Sequence, residues 1–281
     1  GAKIGGKAAG AAPAYLVAPE VDAGSTTARI YSYEPLDEET ALSWLMERAE
    51  TYTETVFAEE SAAGSGKGAR LIKTEYTAYG ALVLKERRLA ASPEDYSKAV
   101  CAAVSKKGLS WLPLSDASRS LLVRARFYAD HGESARCASR EQVALLQEKL
   151  ETLAVRPEDW LLPFLAGGRG SGAVSAQTVY DALSWYLDAG EIDRQVPVQI
   201  LLANGKKRRL VYEDSGKGVQ PVLEVIIQQI FGCFETPRVL GVPVLLKLLS
   251  PARRPLQITE DLAGFWKGSW LEICKAMKGR Y

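Results

Sequence analysis

The hydrophobic periodicity of this chain changes twice, and each change restricts the structure that can form. Residues 14–91 contain short runs rich in β-branched and aromatic residues, such as AYLVAPEV and TARIYSYEP, which predict strands. Residues 92–190 carry apolar residues at helical spacing, and residues 191–281 mix strand-like and helical runs. No apolar run reaches the roughly 20 residues of a membrane helix. The pattern predicts an α+β protein of two or three domains without a membrane span.

The chain divides into four predicted segments. Residues 1–13 are rich in Gly and Ala and are expected to be a disordered start. Residues 14–91 combine several short strands with one helix, LDEETALSWLMERAETY, and predict a small OB-like β-barrel domain. Residues 92–190 are expected to be a helical connector that contains the Gly-rich joint GGRGSG. Residues 191–281 are expected to form a C-terminal α/β domain with a hairpin and amphipathic helices.

Four features of the C-terminal segment give specific expectations. Asn204-Gly205 is a strong signal for a type I′ hairpin loop. The run PVLEVIIQQIFG, from Pro221 to Gly232, has apolar residues at helical spacing and predicts a buried helix. VPVLLKLLSP predicts a strand, and QITEDLAGFWKGSWLEICKAMKG predicts one final helix capped by Thr259. In that helix Trp266 and Trp270 lie on the apolar stripe, which favours packing over base stacking.

The sequence offers no catalytic or metal-binding constellation. The GSGKG run at residues 64–68 lacks the P-loop pattern, since Ser61 and Gly68 stand where a glycine and a Ser or Thr are needed. His131 is the single histidine and reads as a helix-end residue. The four cysteines contain no CxxC pair, which is typical of reduced thiols in a cytoplasmic protein. We therefore expect this chain to bind no cofactor.

Two clusters of basic residues are the better candidates for binding. Net charge is only +1, so attraction to nucleic acid must come from local patches. Lys206, Lys207, Arg208 and Arg209 follow the hairpin turn, where they suit either phosphate contacts or a charged strand edge that prevents aggregation. Alternation puts Lys206 and Arg208 on one face, with Lys207 and Arg209 on the other. Arg253 and Arg254 lie between two prolines, and suit phosphate or a carboxylate such as Glu260 or Asp261.

A third candidate lies in the predicted OB-like segment. Lys73, Tyr76 and Tyr79 follow one another along a single strand run. Aromatic residues interleaved with a cation suit a face that binds single-stranded nucleic acid. They also suit the outer face of any barrel strand, so both interpretations stay open.

Several segments, in order along the chain, resemble the C-terminal region of the HrpB family of bacterial DEAH-box ATP-dependent RNA helicases. The resemblance rests on YGALVLKERRL, GLSWLPLSDASRSLLVRARF, WLLPFLAG, NGKKRRLVYED, PVLEVIIQQIFGCFETPRV and LLSPARRPLQITEDLAGFWKGSW. It covers roughly residues 12–281. The family usually continues with a proline- and tryptophan-rich ending, which is missing after Tyr281.

The resemblance implies an accessory C-terminal part of a helicase. It implies two motor domains upstream in the same polypeptide, which would use ATP and magnesium, and single-stranded RNA or DNA as a partner. Because the chain has no ATPase motif, we expect it to assist nucleic-acid binding and coupling without catalysis of its own. The alternative is a protein-interaction or scaffolding domain with no RNA affinity.

Overall fold

The computed structural model describes residues 2–4, 13–22, 28–57, 71–166, 174–202, 204–214, 216 and 218–278. The chain separates into two compact units. The N-terminal unit holds residues 1–58 and 70–92, and the C-terminal unit contains residues 93–281. The GSGKG run and the Gly-rich joint GGRGSG lie outside the described residues. The predicted division into four segments stays a prediction.

The described residues of the N-terminal unit form two three-stranded sheets and one helix. In the first sheet, β3 (Ala28–Pro35) lies between β1 (Ala2–Ile4), which is parallel to it, and β2 (Leu16–Asp22), which is antiparallel to it. In the second sheet, β4 (Glu50–Phe57), β5 (Leu71–Tyr79) and β6 (Leu82–Leu89) form an antiparallel meander. The strand pairs among the described residues do not close a barrel, so the OB-like barrel also stays a prediction. The helix is α1 (Glu38–Glu47).

The predicted strands of this unit are confirmed, and so is most of its helix. The predicted helix was wrong for residues 50–52, which begin strand β4, and a further correction concerns the start of the chain. Asp37 caps α1 by accepting a hydrogen bond of 2.8 Å from the Thr40 backbone N–H, as expected of an acidic helix start. The disordered start predicted for residues 1–13 was wrong for Ala2–Ile4, which pair with β3. Backbone pairing with an existing strand needs no apolar pattern, so composition did not reveal it.

The C-terminal unit begins with helices and continues with a sheet. The helical structure expected within residues 92–190 is confirmed, and Ser115, Ser139 and Ser175 each cap a helix. The elements are α2 (Pro93–Lys107), α3 (Asp116–His131), α4 (Arg140–Thr152), α5 (Leu162–Ala166), α6 (Ala176–Leu187), α7 (Ala189–Gln195), β7 (Gln199–Leu201), β8 (Lys207–Arg209), β9 (Val211–Asp214), β10 (Val219–Ile226), β11 (Arg238–Val239), β12 (Val242–Pro243), β13 (Leu245–Leu249), β14 (Pro255–Thr259), α8 (Leu262–Lys267) and α9 (Ser269–Lys278).

Helix α3 lies at the centre of this unit. It packs on α4, α6 and α7 and also on strands β9 and β10. Its residues Leu121, Ala125 and Phe127 are fully buried, as are Val179 and Leu183 of α6. The main sheet has the order β14-β13-β10-β9, in which only the β10–β13 pair is parallel. The helices and the sheet therefore share one core.

The helix predicted between Pro221 and Gly232 was wrong. This segment forms strand β10, followed by a short 3-10 helix at Ile227–Ile230. Val222, Leu223 and Val225 are buried because β10 has a sheet neighbour on each side and α3 packed against it. A strand covered on both faces is apolar almost throughout, and such a run cannot be told from a buried helix by its periodicity.

The single final helix was also wrong. Residues Pro255–Thr259 form β14, and Asp261, not Thr259, caps α8 through the Gly264 N–H at 2.9 Å. The chain then breaks at Gly268, whose dihedral angles of −119° and −91° are not helical, before α9 starts. A side chain at position 264 would collide with the Asp261 carboxylate, which explains this glycine.

Candidate nucleic-acid interface

The basic hairpin, which we define as residues 199–209, forms as predicted but with a different loop. Strands β7 and β8 pair antiparallel, with Leu201 opposite Lys207 and Gln199 opposite Arg209. The Gly205 N–H donates to the Leu202 carbonyl oxygen at 2.9 Å, and Gly205 has a φ of 76°. A two-residue type I′ loop of Asn204-Gly205 would not contain this hydrogen bond, so the predicted loop type was wrong.

The four cations of the basic hairpin are not equivalent. Lys206, Lys207 and Arg209 are exposed, and no ion pair to any of them occurs within the described residues. Arg208 is half-buried opposite Ile200, and its Nη1 donates to the Lys207 carbonyl oxygen at 2.8 Å. Three positive charges thus face solvent, while the fourth is turned back onto its own strand. As expected from strand alternation, Lys207 and Arg209 lie on the face of β8 opposite to that of Arg208.

Buried groups fix the base of the basic hairpin. Nη1 of Arg124, on α3, donates to the Val196 carbonyl oxygen at 3.0 Å and to the Asp193 carboxylate at 2.5 Å. The Tyr212 hydroxyl donates to the Pro197 carbonyl oxygen at 2.8 Å. Burial raises the pKa of Tyr212, so its hydroxyl remains a donor at neutral pH. These contacts attach the hairpin to the core on its N-terminal side and just beyond its C-terminal strand.

Asn204 fixes the tip of the basic hairpin, a role that the sequence reading missed. Its Nδ2 donates to the carbonyl oxygens of Gln229 at 2.7 Å and Phe231 at 3.3 Å. Its Oδ1 accepts from the Lys206 N–H at 3.2 Å. The sequence marked Asn204 as a turn residue only, because a contact across 25 residues leaves no local pattern.

The Arg253–Arg254 pair lies in a tight turn between β13 and β14. The Arg253 N–H donates to the Ser250 carbonyl oxygen, and the Ser250 N–H donates to that of Arg254, both at 2.8 Å. Both arginine side chains are exposed. The carboxylate partners suggested by the sequence are engaged otherwise: Glu260 accepts a hydrogen bond from Gln220, and Asp261 caps α8. Two exposed guanidinium groups remain on a rigid turn.

Lys73, Tyr76 and Tyr79 share strand β5 but not one face of it. The uninterrupted pairing of β5 with β4 makes its side chains alternate, so Lys73 and Tyr79 point away from Tyr76. Tyr76 stacks on Tyr52 at 5.4 Å, and Tyr79 contacts Trp44 edge to face at 5.6 Å. The expectation of a single binding face made by these three residues is therefore corrected.

The described residues provide no other obvious chemistry. They contain no group of three or more His, Cys, Asp or Glu side chains that could hold a metal ion. His131 ends α3, with its ring 4.6 Å from that of Phe127. No helix among the described residues is long and apolar enough to cross a membrane. The exposed cations are therefore the features that suit a ligand.

Comparison with known proteins identifies the type of domain. Residues 160–281 match the family model HrpB_C, described as ATP-dependent helicase C-terminal. The chain is 38% identical over 136 residues to the ATP-dependent RNA helicase HrpB of Escherichia coli (strain K12), which covers 47% of this chain and 16% of that protein. These matches confirm the predicted resemblance to the C-terminal region of HrpB-like helicases.

Two solved structures of HrpB proteins are similar to nearly the whole chain. A crystal structure of the E. coli DExH-box NTPase HrpB matches with a TM-score of 0.60 and 28% identity over 95% of this chain. A crystal structure of the E. coli DEAH/RHA helicase HrpB matches with a TM-score of 0.55 and 25% identity over the same share. The chain spans 32% of the length of each. Residues 160–281 are thus similar to the C-terminal domain of an ATP-dependent helicase family.

Proposed function

We propose that this chain is the accessory C-terminal part of an ATP-dependent RNA helicase and that its basic hairpin contacts the phosphates of single-stranded RNA or DNA. The observation that carries the proposal is the set of three exposed cations, Lys206, Lys207 and Arg209, on a hairpin that buried groups hold in place. Charges on a fixed scaffold bind phosphate without the entropic cost of ordering a loop.

The complete protein would supply what this chain lacks. Motor domains elsewhere in the same polypeptide would bind ATP and magnesium, and the present chain would guide the nucleic acid without hydrolysing ATP itself. The two sheets of the N-terminal unit would belong to an OB-like domain, and the protein would act in the cytoplasm. The relatives named as helicases support the assignment to a helicase, since they share a quarter or more of the aligned residues with this chain.

A titration of fluorescent single-stranded RNA with the whole chain, followed by anisotropy, tests the proposal. Combined Lys206→Ala, Lys207→Ala and Arg209→Ala substitutions should weaken binding at low salt by about tenfold or more. They should also make the negative slope of log affinity against log salt less steep by about 2, since each phosphate contact on a single strand contributes about 0.7 to that slope. Arg208 is left in place because it is half-buried.

The matched control removes three other exposed cations, by Lys98→Ala, Lys106→Ala and Arg140→Ala. This variant has the same net charge as the hairpin variant but lacks none of the hairpin residues. Equal loss of affinity in both variants would mean that only net charge matters, and would contradict the assignment to the hairpin.

The second candidate function is protein interaction without RNA affinity. It is favoured by the net charge of +1 and by an apolar groove of about 610 Å³ in the N-terminal unit, lined by residues such as Tyr15, Val17 and Trp44. The occupant would be a helicase motor domain. Absence of RNA binding by the unaltered chain at micromolar concentration and low salt would favour this function over the first.

A further inference from the structure

Two phenylalanines face solvent in the loop that follows strand β10. Phe231 is 46% exposed and Phe234 is 68% exposed, and they enclose Gly232 and the buried Cys233. We call residues 231–234 the aromatic loop. A single exposed apolar residue is common on protein surfaces. Two exposed rings within four residues of a structured loop are a feature that needs an explanation.

The backbone of the aromatic loop is fixed at several points. The Trp266 indole N–H donates to the Cys233 carbonyl oxygen at 2.7 Å, and the Cys233 N–H donates to that of Ile230 at 3.0 Å. Gly232 has a φ of 85°, a conformation that turns the chain sharply and that glycine adopts most easily. The two rings are therefore held at the surface by their backbone and are not the ends of a loose segment.

Aromatic side chains also support the aromatic loop from beneath. The Phe231 ring lies 5.8 Å from the ring of Trp266 and 5.8 Å from that of Trp270. Trp266 and Trp270 are themselves in contact at 5.5 Å, edge to face. This packing fixes one side of Phe231 and leaves nearly half of its surface open. Phe234 has the larger open surface of the two.

One side chain connects the aromatic loop to the basic hairpin. Asn204 Nδ2 donates to the Phe231 carbonyl oxygen at 3.3 Å, and Asn204 Oδ1 accepts from the Lys206 N–H at 3.2 Å. The loop with the exposed rings is thus hydrogen-bonded to the tip of the hairpin with the exposed cations. Proteins that bind single-stranded nucleic acid combine cations, which contact the phosphates, with aromatic rings, on which the bases stack.

We infer that Phe231 and Phe234 form a base-stacking platform for a single strand whose phosphates lie on the basic hairpin. This inference rests on the proposed function and adds the residues that contact the bases. The neighbouring positive charge favours nucleic acid over an apolar protein segment as the occupant. Stacking on phenylalanine accepts every base, so the platform would bind single strands with little sequence preference.

Phe234 is the residue to change, because Phe231 also packs on two tryptophans and its removal would disturb the fold. Phe234→Ala in the whole chain should weaken binding of single-stranded RNA by about tenfold, since stacking on one aromatic ring contributes on this order. The slope of log affinity against log salt should stay unchanged, because no phosphate contact is lost. Quenching of a fluorescent base analogue in the strand should also decrease.

Four controls separate stacking from other effects. Phe234→Trp keeps an aromatic face and should retain the affinity, whereas Phe234→Leu keeps only the apolar character and should bind as weakly as Phe234→Ala. Trp185→Ala removes a comparably exposed ring, 61% exposed, from helix α6 and should bind like the unaltered chain. A strand without bases should bind about equally weakly to the unaltered chain and to Phe234→Ala.

The outcomes distinguish this inference from the proposed function. If Phe234→Ala binds as tightly as the unaltered chain while the hairpin variant binds weakly, the platform is overturned and the hairpin assignment stands. Full affinity in Phe234→Leu would indicate a non-specific apolar contact and would also overturn the platform. If the unaltered chain binds no single strand at all, both are wrong, and the aromatic loop would have to be tested as a protein-docking surface.

Discussion

The two units of this protein bury their side chains to very different extents. In the described part of the N-terminal unit, the buried residues are Ile30, Ala41, Thr74 and Ala78, and large side chains such as Tyr52 remain half exposed. The C-terminal unit instead encloses a large apolar core, in which Trp160, Phe127 and Leu121 are fully buried.

The difference shows that strand pairing alone does not produce a core. The N-terminal strands satisfy their backbone hydrogen bonds within two small sheets, yet leave much of their side-chain surface in water. In the C-terminal unit, helices pack on the sheet, so the apolar side chains of the helices and of the sheet are shielded from water. Because buried apolar area supplies most of the stability of a fold, we expect the C-terminal unit to be the more stable of the two. Its exposed cations and rings then stand on a rigid support.

The largest expected effect would come from emptying the C-terminal core. Trp160 is fully buried and its indole N–H donates to the Leu153 carbonyl oxygen at 2.9 Å. Trp160→Ala should lower the free energy of unfolding of this unit by about 3–5 kcal/mol. Tyr52→Ala in the N-terminal unit removes a ring that is 50% exposed and should cost about 1 kcal/mol or less.

Denaturant unfolding followed by tryptophan fluorescence and circular dichroism measures both effects. Trp160→Phe is the matched control, since it keeps most of the packing and loses the indole hydrogen bond. Its loss of unfolding free energy should lie between those of Trp160→Ala and Tyr52→Ala. Comparable losses for Trp160→Ala and Tyr52→Ala would contradict the contrast between the two units.

A smaller effect should follow from the buried charge of the C-terminal unit. The Arg124 side chain is 5% exposed, and Asp193 is its carboxylate partner. Asp193→Ala leaves the guanidinium with the Val196 carbonyl oxygen but without a counter-charge, and should cost about 1–3 kcal/mol of unfolding free energy. The Glu47–Arg48 pair of the N-terminal unit is exposed at both ends, so Glu47→Ala should cost well under about 1 kcal/mol. Equal costs in urea unfolding would show that burial does not strengthen the Arg124 contact.

The smallest expected effect concerns pH and the N-terminal unit. Hydrogen bonds from Thr40 hold the pKa of the Asp37 carboxyl below its usual range. A carboxyl whose pKa is lower in the folded state stabilises the fold above the unfolded pKa of about 3.9 and loses that contribution as pH falls through the folded pKa. Asp37→Ser keeps a capping oxygen that does not titrate in this range. On acidification from pH 5, the unaltered protein should lose α1 stability more steeply than Asp37→Ser, and parallel pH profiles by circular dichroism would contradict this.

Local signals in the sequence located most elements and some of the site. The helical spacing of residues 92–190 and the turn at Asn204-Gly205, though not its type, were interpreted correctly because these signals act through neighbouring residues. The positions of the basic residues, and the inward packing of Trp266 and Trp270, were also visible in the sequence.

The errors arose where a tertiary neighbour decided the outcome. Residues 222–230 have helical spacing of apolar side chains, but β9 and β13 pair with this segment and α3 covers it, so it forms a strand through Ile226. Residues 257–279 were predicted as one helix, but β13 pairs with their first part and Asp261 caps α8. In both cases the free energy of sheet pairing and burial exceeded a preference of a few tenths of a kcal/mol per residue.

The sequence by itself determined which residues are charged, which turn and which begin helices, because these properties depend on a few adjacent residues. Its resemblance to a helicase C-terminal region was also visible without a structure. Only the tertiary structure decided that residues Val219–Ile226 form a strand and that Asn204 joins the basic hairpin to Phe231. Those outcomes depend on contacts between residues far apart in the chain, and such contacts form only when the whole unit folds.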